Sequence, residues 1–185
     1  ELWNRGLVYS DYRPNNWCFE CGTTIADAEV EYSERPTTLN YLHFEVEGKE
    51  PIKIATTRPE LLCACGAVFI HPDDERFRGY GGRKAKVPLF NIEVPIIESN
   101  TAQMEFGTGA LMVCSYGDTA DVMAFRDHAL TPVQAISPDG KMTEAAGKYA
   151  GLKMVDAKKA IIKELREQGA LYQQEESMQR VPLCW

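Results

Sequence analysis

The sequence has 185 residues and a mass of 20.8 kDa, enough for one self-sufficient core. With 44% hydrophobic and 25% charged residues and a mean hydropathy of -0.32, wholesale disorder is excluded, and no apolar run approaches the ~18–20 residues of a membrane span. The net charge of -7, from 20 Lys and Arg against 27 Asp and Glu, argues against a module that grips nucleic acid by broad phosphate neutralisation, though not against contact with the end of one strand.

Taken in chain order, residues 1–36 read as an incoming arm. The chain opens on Glu1 with no signal peptide and is expected to be a piece of a longer protein. Leu7-Val8-Tyr9 is strand-like, Tyr12-Arg13-Pro14-Asn15-Asn16 turns, and Trp17-Cys18-Phe19-Glu20-Cys21-Gly22 forms a thiol knuckle; Pro36 closes the arm. Residues 37–169 read as the core. Tyr41 to Val46 alternates apolar and polar residues and turns at Gly48-Lys49, Ile52 to Ala55 is a second strand, and Ala67 to Ile70 is a short buried one. Val94 to Ile97 carries Pro95 and is expected at a sheet edge. Ala110 to Val113 is a further strand, flanked by Gly107 and Gly109. Short helical pieces are expected at Pro59–Ala64, Asp74–Phe77 and about 119–128. The clearest helix is 156–168, with Asp156 as N-cap, Ala157, Ala160, Ile161 and Leu165 on one face, and Gly169 as the stop. Residues 170–185 return as an extended outgoing arm. The fold expected is mainly β with short helices, barrel-like, with two extended connecting arms.

Three clusters can carry chemistry. In Ala55-Thr56-Thr57-Arg58-Pro59-Glu60, a strand ends in two threonines and a helical turn begins, which makes a polar cradle for an anion or a developing oxyanion. The competing reading is a simple turn with a Thr57–Glu60 capping box. In Phe106-Gly107-Thr108-Gly109 followed by Asp118 and Asp121, two carboxylates three residues apart fall on the first turn of a helix. The helix dipole favours their ionised form, which suits an ammonium partner; the alternative is an ordinary acidic N-cap. The third cluster is Cys18-x-x-Cys21 with Cys184, three of the four thiolates of a structural zinc site, or else incidental surface cysteines. Cys63, Cys65 and Cys114 sit among apolar residues and read as buried thiols of a reducing, cytoplasmic protein. His43, His71 and His128 are scattered and read as structural, and nothing suggests an activated nucleophile.

Taken together, these segments resemble the editing domain inserted into class I aminoacyl-tRNA synthetases for valine, isoleucine and leucine. Ala26 to Glu31 is similar to the valyl version of the incoming arm, and Thr56-Thr57-Arg58-Pro59-Glu60 resembles the threonine-rich peptide. Gly107-Thr108-Gly109 with Asp121 is similar to the second signature, and Arg180-Val181-Pro182-Leu183-Cys184-Trp185 to the outgoing arm before a second Cys-x-x-Cys. Met112-Val113-Cys114 followed by Tyr116-Gly117-Asp118 looks like the archaeal branch of the valyl type.

The resemblance implies hydrolysis of threonine misattached to the 3′ end of tRNA(Val). A hydrophobic synthetic pocket discriminates poorly against an isostere that adds only a hydroxyl, the long-known worked case for these enzymes. It implies Asp121 on the substrate ammonium, with Thr56 and Thr57 at the ester and terminal adenosine. Asp118, Arg58, Phe106, Thr108, Met112 and Ser115 would line the amino acid and adenosine. A positioned water would do the chemistry, with no cofactor for hydrolysis. A structural zinc on Cys18, Cys21 and Cys184, completed by a cysteine past Trp185, and the use of ATP both belong to the longer parent. The partners implied are the 3′ end of aminoacylated tRNA and the rest of the synthetase, with no membrane. Leu61, Met112 and Gly117 stand where bacterial valyl enzymes often carry threonine, lysine and histidine, which leaves Asp118, Thr57 and Ser115 as candidates to recognise the hydroxyl. The alternatives are an isoleucyl editing domain clearing valyl-tRNA(Ile) and a non-catalytic module that guides the tRNA end.

Overall fold

The computed structural model describes residues 1–10 and 14–184; Tyr12 and Arg13 of the expected turn, and Trp185, lie outside the described residues. Strand makes up 36% of the structure and helix 24%, so the fold is mainly β. Leu7–Tyr9 is not a strand. It comes after a helical turn at Trp3–Arg5, is exposed, and pairs with no neighbour among the described residues. Apolar residues without a ladder partner have nothing to hold them extended.

The first pairing is a hairpin of β1 (Asn16–Cys18) and β2 (Thr23–Ile25) around the thiol knuckle. β3 (Val30–Val46) then runs for 17 residues and continues through Pro36. Over Val30–Leu39 it is paired only with β9 (Leu171–Cys184), because β4 (Ile52–Thr56) joins its other side from Asn40 onward. That one-sided stretch tolerates a residue without an N–H. Further along β3, Asn40, Leu42, Phe44 and Val46 alternate into the core.

The remaining strands are β5 (Cys65–Ile70), β6 (Lys84–Lys86), β7 (Glu93–Glu98) and β8 (Ala110–Cys114), and the sheet order is β4-β3-β6-β7-β5-β8 with β9 on β3. β4 and β8, the two ends of that path, approach each other, but among the described residues no ladder joins them and no closed barrel forms. β7 is an interior strand, not the edge strand its proline suggests. It pairs with β6 over Glu93–Pro95 and with β5 over Ile96–Glu98. Ile96 N donates to Arg83 O at 2.8 Å and Val87 N to Ile92 O at 2.9 Å, so alternation turns the Pro95 nitrogen away from β6, at a point the β5 ladder has not yet reached.

β5 is buried on both faces, as its unbroken apolar run requires. Val68 and Ile70 enter the main core with Leu42, Phe44, Ile54 and Ile96. Ala67 and Phe69 face a smaller core with Val113 and Phe125 under α1 (Thr119–Asp127). α2 (Met154–Glu167) buries Ala157, Ile161 and Leu165 against the main core. It starts two residues earlier than expected. Lys153 holds the N-cap position and Asp156 lies inside the first turn, where its charge still suits the dipole.

Candidate active site

The threonine-rich segment is the hinge between β4 and a fully buried helical turn, Pro59–Ala64. Thr56 is 8% exposed. Its Oγ1 accepts from Arg58 N at 3.0 Å and its carbonyl accepts from the buried Asn40 Nδ2 at 3.1 Å. Thr57 is half-buried. Its carbonyl accepts from Lys158 Nζ of α2 at 2.7 Å, while its hydroxyl makes no hydrogen bond among the described residues. The expected Thr57–Glu60 capping box does not form. Arg58 holds the N-cap position without a side-chain cap, and the Glu60 carboxylate turns to Arg58 Nε at 3.0 Å, because a buried carboxylate is better satisfied by a guanidinium than by a single amide.

Asp118 caps α1, its Oδ1 accepting from Asp121 N at 2.8 Å. The Asp121 carboxyl folds back against Gly117. A Cβ at residue 117 would stand 2.4 Å from Asp121 Oδ2 and 3.4 Å from Leu61 Cδ1, so only glycine leaves the acid this berth. Arg58 Nη1 donates to Gly117 O at 3.2 Å. These contacts bring the threonine turn and the acidic helix start together, joined through Arg58, Leu61 and Gly117.

Electrostatics here differ from the expectation. Asp121 is not kept well ionised by the helix dipole. Burial first, and then the negative charge of Asp118, push its pKa up to about 7, against the opposing pull of Arg58 and of the Cys114 and Gly117 backbone. Partial burial and a neighbouring like charge together outweigh what the helix start offers the anion.

The other expected residues divide. Phe106 is 75% exposed on a loop that passes the end of β4, where a Cβ at Gly107 would stand 3.6 Å from Ala55 Cβ. Met112 is half-buried on β8, packed on the main core. Thr108 bonds its own loop at Ala110, and Ser115 Oγ accepts from Val133 N at 2.9 Å, so both hydroxyls engage backbone. Lys158 and Met154 are the residues missed. Met154 Sδ lies 3.9 Å from Arg58 Nη2. Neither carries a local signal, because only the docking of α2 brings them to the turn. Two surface grooves, about 470 Å³ beside Pro36–Thr38 and Glu176–Met178 and about 760 Å³ beside Glu45–Glu47 and Lys84–Lys86, include none of the acidic or threonine residues of the junction.

The histidines sit in packing roles. His43 stacks on Tyr172 at 4.3 Å, His128 meets the edge of Phe69 at 4.8 Å, and His71 Nδ1 accepts from Asp73 N. Cys63, Cys65 and Cys114 are buried and free, and burial raises the Cys63 thiol to about 11.

The remaining three cysteines converge. The sulfurs of Cys18, Cys21 and Cys184 all lie within 4.8 Å of one another, with Cys18 Sγ 3.3 Å and Cys21 Sγ 3.9 Å from Cys184 Sγ. A tetrahedral zinc with ~2.3 Å bonds to sulfur holds its thiolates at comparable separations, so the donor set fits three of four ligands. The knuckle is seated on the core. Trp17 Nε1 donates to Pro138 O at 2.9 Å, and the Phe19 ring occupies the space a Cβ at Gly140 would need.

No family model matches the chain. Curated relatives match it from end to end. The chain is 47% identical to a valine–tRNA ligase of Methanothrix thermoacetophila, 49% to that of Methanothermobacter thermautotrophicus and 45% to that of Methanocaldococcus jannaschii, in each case over 100% of this chain. It spans only 21–22% of those relatives. Among solved structures, the LeuRS chain of a LeuRS–tRNA–LeuAMS ternary complex from Agrobacterium radiobacter K84 shares the fold, with a TM-score of 0.57 and 21% identity over 80% of this chain and 20% of that one. Along its whole length the chain is therefore homologous to one segment, about a fifth of the length, of archaeal valine–tRNA ligases.

Proposed function

We propose that this chain is the editing module of a valine–tRNA ligase and hydrolyses threonine wrongly esterified to the 3′ end of tRNA(Val). The observation that carries the reading is the junction itself: Arg58, from the threonine turn, bonds the backbone of Gly117, against which Asp121 rests. Two chain segments about 60 residues apart are thereby brought to one polar spot.

In this reading Asp121 grips the substrate ammonium. An acid poised near 7 is drawn to its anionic form by an arriving cation, so the ion pair is made on binding. The half-buried Thr57 hydroxyl recognises the threonine side-chain hydroxyl. Valine would leave that group unpaired, which is the basis of rejection. Leu61 supplies an apolar wall, and the exposed Phe106 ring offers a stacking face for the terminal adenine. Water held between the carboxylate and the threonine turn attacks the ester carbonyl. Proximity and fixed dipoles supply the rate, with no covalent intermediate and no cofactor for this step. The partner is the 3′ end of aminoacylated tRNA, presented in the cytoplasm by the rest of the synthetase, where ATP is used. Cys18, Cys21 and Cys184 hold a structural zinc there, with a fourth ligand outside the chain; its contribution is to clamp the two arms.

The Asp121→Ala variant, assayed in the full-length synthetase with threonyl-tRNA(Val), is expected to lose about 100-fold or more in deacylation while valine activation and the thermal transition are retained. An unchanged deacylation rate would reduce this chain to a guide for the tRNA end. Preferential clearance of valyl-tRNA(Ile) would transfer the assignment to the isoleucyl type; the relatives' names favour valine.

A further inference from the structure

Glu60 is the least expected side chain at the junction. It is 3% exposed, inside a helical turn whose other five residues are also buried. Only one of its carboxylate oxygens is satisfied, by Arg58 Nε at 3.0 Å. The second, Oε2, is buried with no hydrogen-bond partner among the described residues. Burying a carboxylate with an unpaired oxygen opposes folding, and an apolar residue would pack this turn better. A side chain kept at such a disadvantage points to a role other than stability.

Its one partner shows what that role is. Arg58 is the only side chain among the described residues that bonds both halves of the junction: Glu60 on the threonine turn through Nε, and the Gly117 carbonyl through Nη1 at 3.2 Å. Its Nη2 reaches only the Met154 thioether, at 3.9 Å, a weak acceptor. Two of the five guanidinium N–H groups are left without a partner among the described residues, and the side chain is 32% exposed. A long arginine with an open edge otherwise samples many rotamers. The buried carboxylate holds the Nε side of the guanidinium, whose positive charge is felt at Asp121.

We propose that Glu60 is a positioning residue of this site. Resting on the hydrolase function proposed above, it fixes the Arg58 guanidinium so that its free N–H groups meet the ester or terminal phosphate oxygens of the aminoacylated tRNA end, and it acts through Arg58 alone. Glu60 does not touch substrate.

The test is a double-mutant cycle in the full-length synthetase, read as kcat and KM for deacylation of threonyl-tRNA(Val), with thermal melts of each variant. Glu60→Ala is expected to lower kcat by about 100-fold. Glu60→Gln, the same shape without the charge, should lie between it and the wild type in kcat and should melt no lower than the wild type. In the Arg58→Ala background, Glu60→Ala should add no further loss. Wild-type kcat in Glu60→Gln, or losses that multiply with Arg58→Ala, would overturn the proposal. Should Glu60→Ala fail to fold, Glu60→Gln carries the cycle with the same criteria. Asp121→Ala, run alongside, separates the two ideas: if it retains deacylation the hydrolase reading falls, whereas if it is inactive and Glu60→Gln is not, only the role of Glu60 falls.

Discussion

Asp121 sets folding against the proposed chemistry in a single carboxyl group. Its pKa rises from an ordinary aspartate value of 3.8 to about 7 on folding. Between those limits the folded chain holds a proton that the unfolded chain has released, so this group's contribution to stability declines as pH rises and is fully unfavourable above about 7. Asp121→Asn is therefore expected to melt higher than the wild type at pH 8, with the gap closing toward pH 4, in thermal scans across that range. Its deacylation should be lost at every pH, since the amide cannot bind an ammonium as an ion pair. Wild-type kcat/KM should rise with pH through about 7 and then level, as the free acid ionises. Both acids were legible from their spacing, and so was their place at the start of a helix. The protonation behaviour was not, because it depends on burial against Gly117 and Leu61, residues whose approach no local pattern encodes.

Among the elements, α1 and the threonine turn show how local signals compete. Asp118 is the N-cap its position suggests, so Asp118→Ala is expected to cost about 1 kcal/mol in denaturant unfolding, whereas Asp118→Asn, which still caps, should cost little. Both remove the negative charge that helps to raise Asp121 and should therefore shift the rising limb of the pH–rate profile to lower pH. A shift in Asp118→Ala alone would trace the effect to fraying of α1 instead. At the threonine turn the capping-box pattern of Thr57 and Glu60 is present in the sequence yet unused, because the half-buried Arg58 offers the buried Glu60 carboxylate a charged partner. Pro95 misleads in a similar way. A proline marks a missing donor, not an edge, and alternating partners along β7 give that missing donor a place in the interior of the sheet.

For the whole molecule, the long β3–β9 ribbon joins the thiol knuckle at one end to the threonine turn at the other. Its register sets Cys184 opposite Val30 and Gln174 opposite Asn40, the residue that bonds the Thr56 carbonyl. The full-length synthetase is expected to bind zinc stoichiometrically at this knuckle, and Cys184→Ser should lower its metal content in elemental analysis and speed amide exchange in residues 16–36 and 174–184. Unchanged exchange would deny the metal a clamping role. What the sequence by itself determined is the mainly β character, most of the strands and short helices, and the polar motifs that meet at the junction, because alternation, turn residues and short spacings act over a few residues. Only the tertiary structure decided that the sheet path stays unclosed by hydrogen bonds among the described residues, that Lys158 and Met154 reach the threonine turn, and that Asp121 is partly withdrawn from solvent. Each of these depends on packing between segments tens of residues apart, where the favourable energy comes from jointly excluding water and not from any preference a short stretch of chain can express.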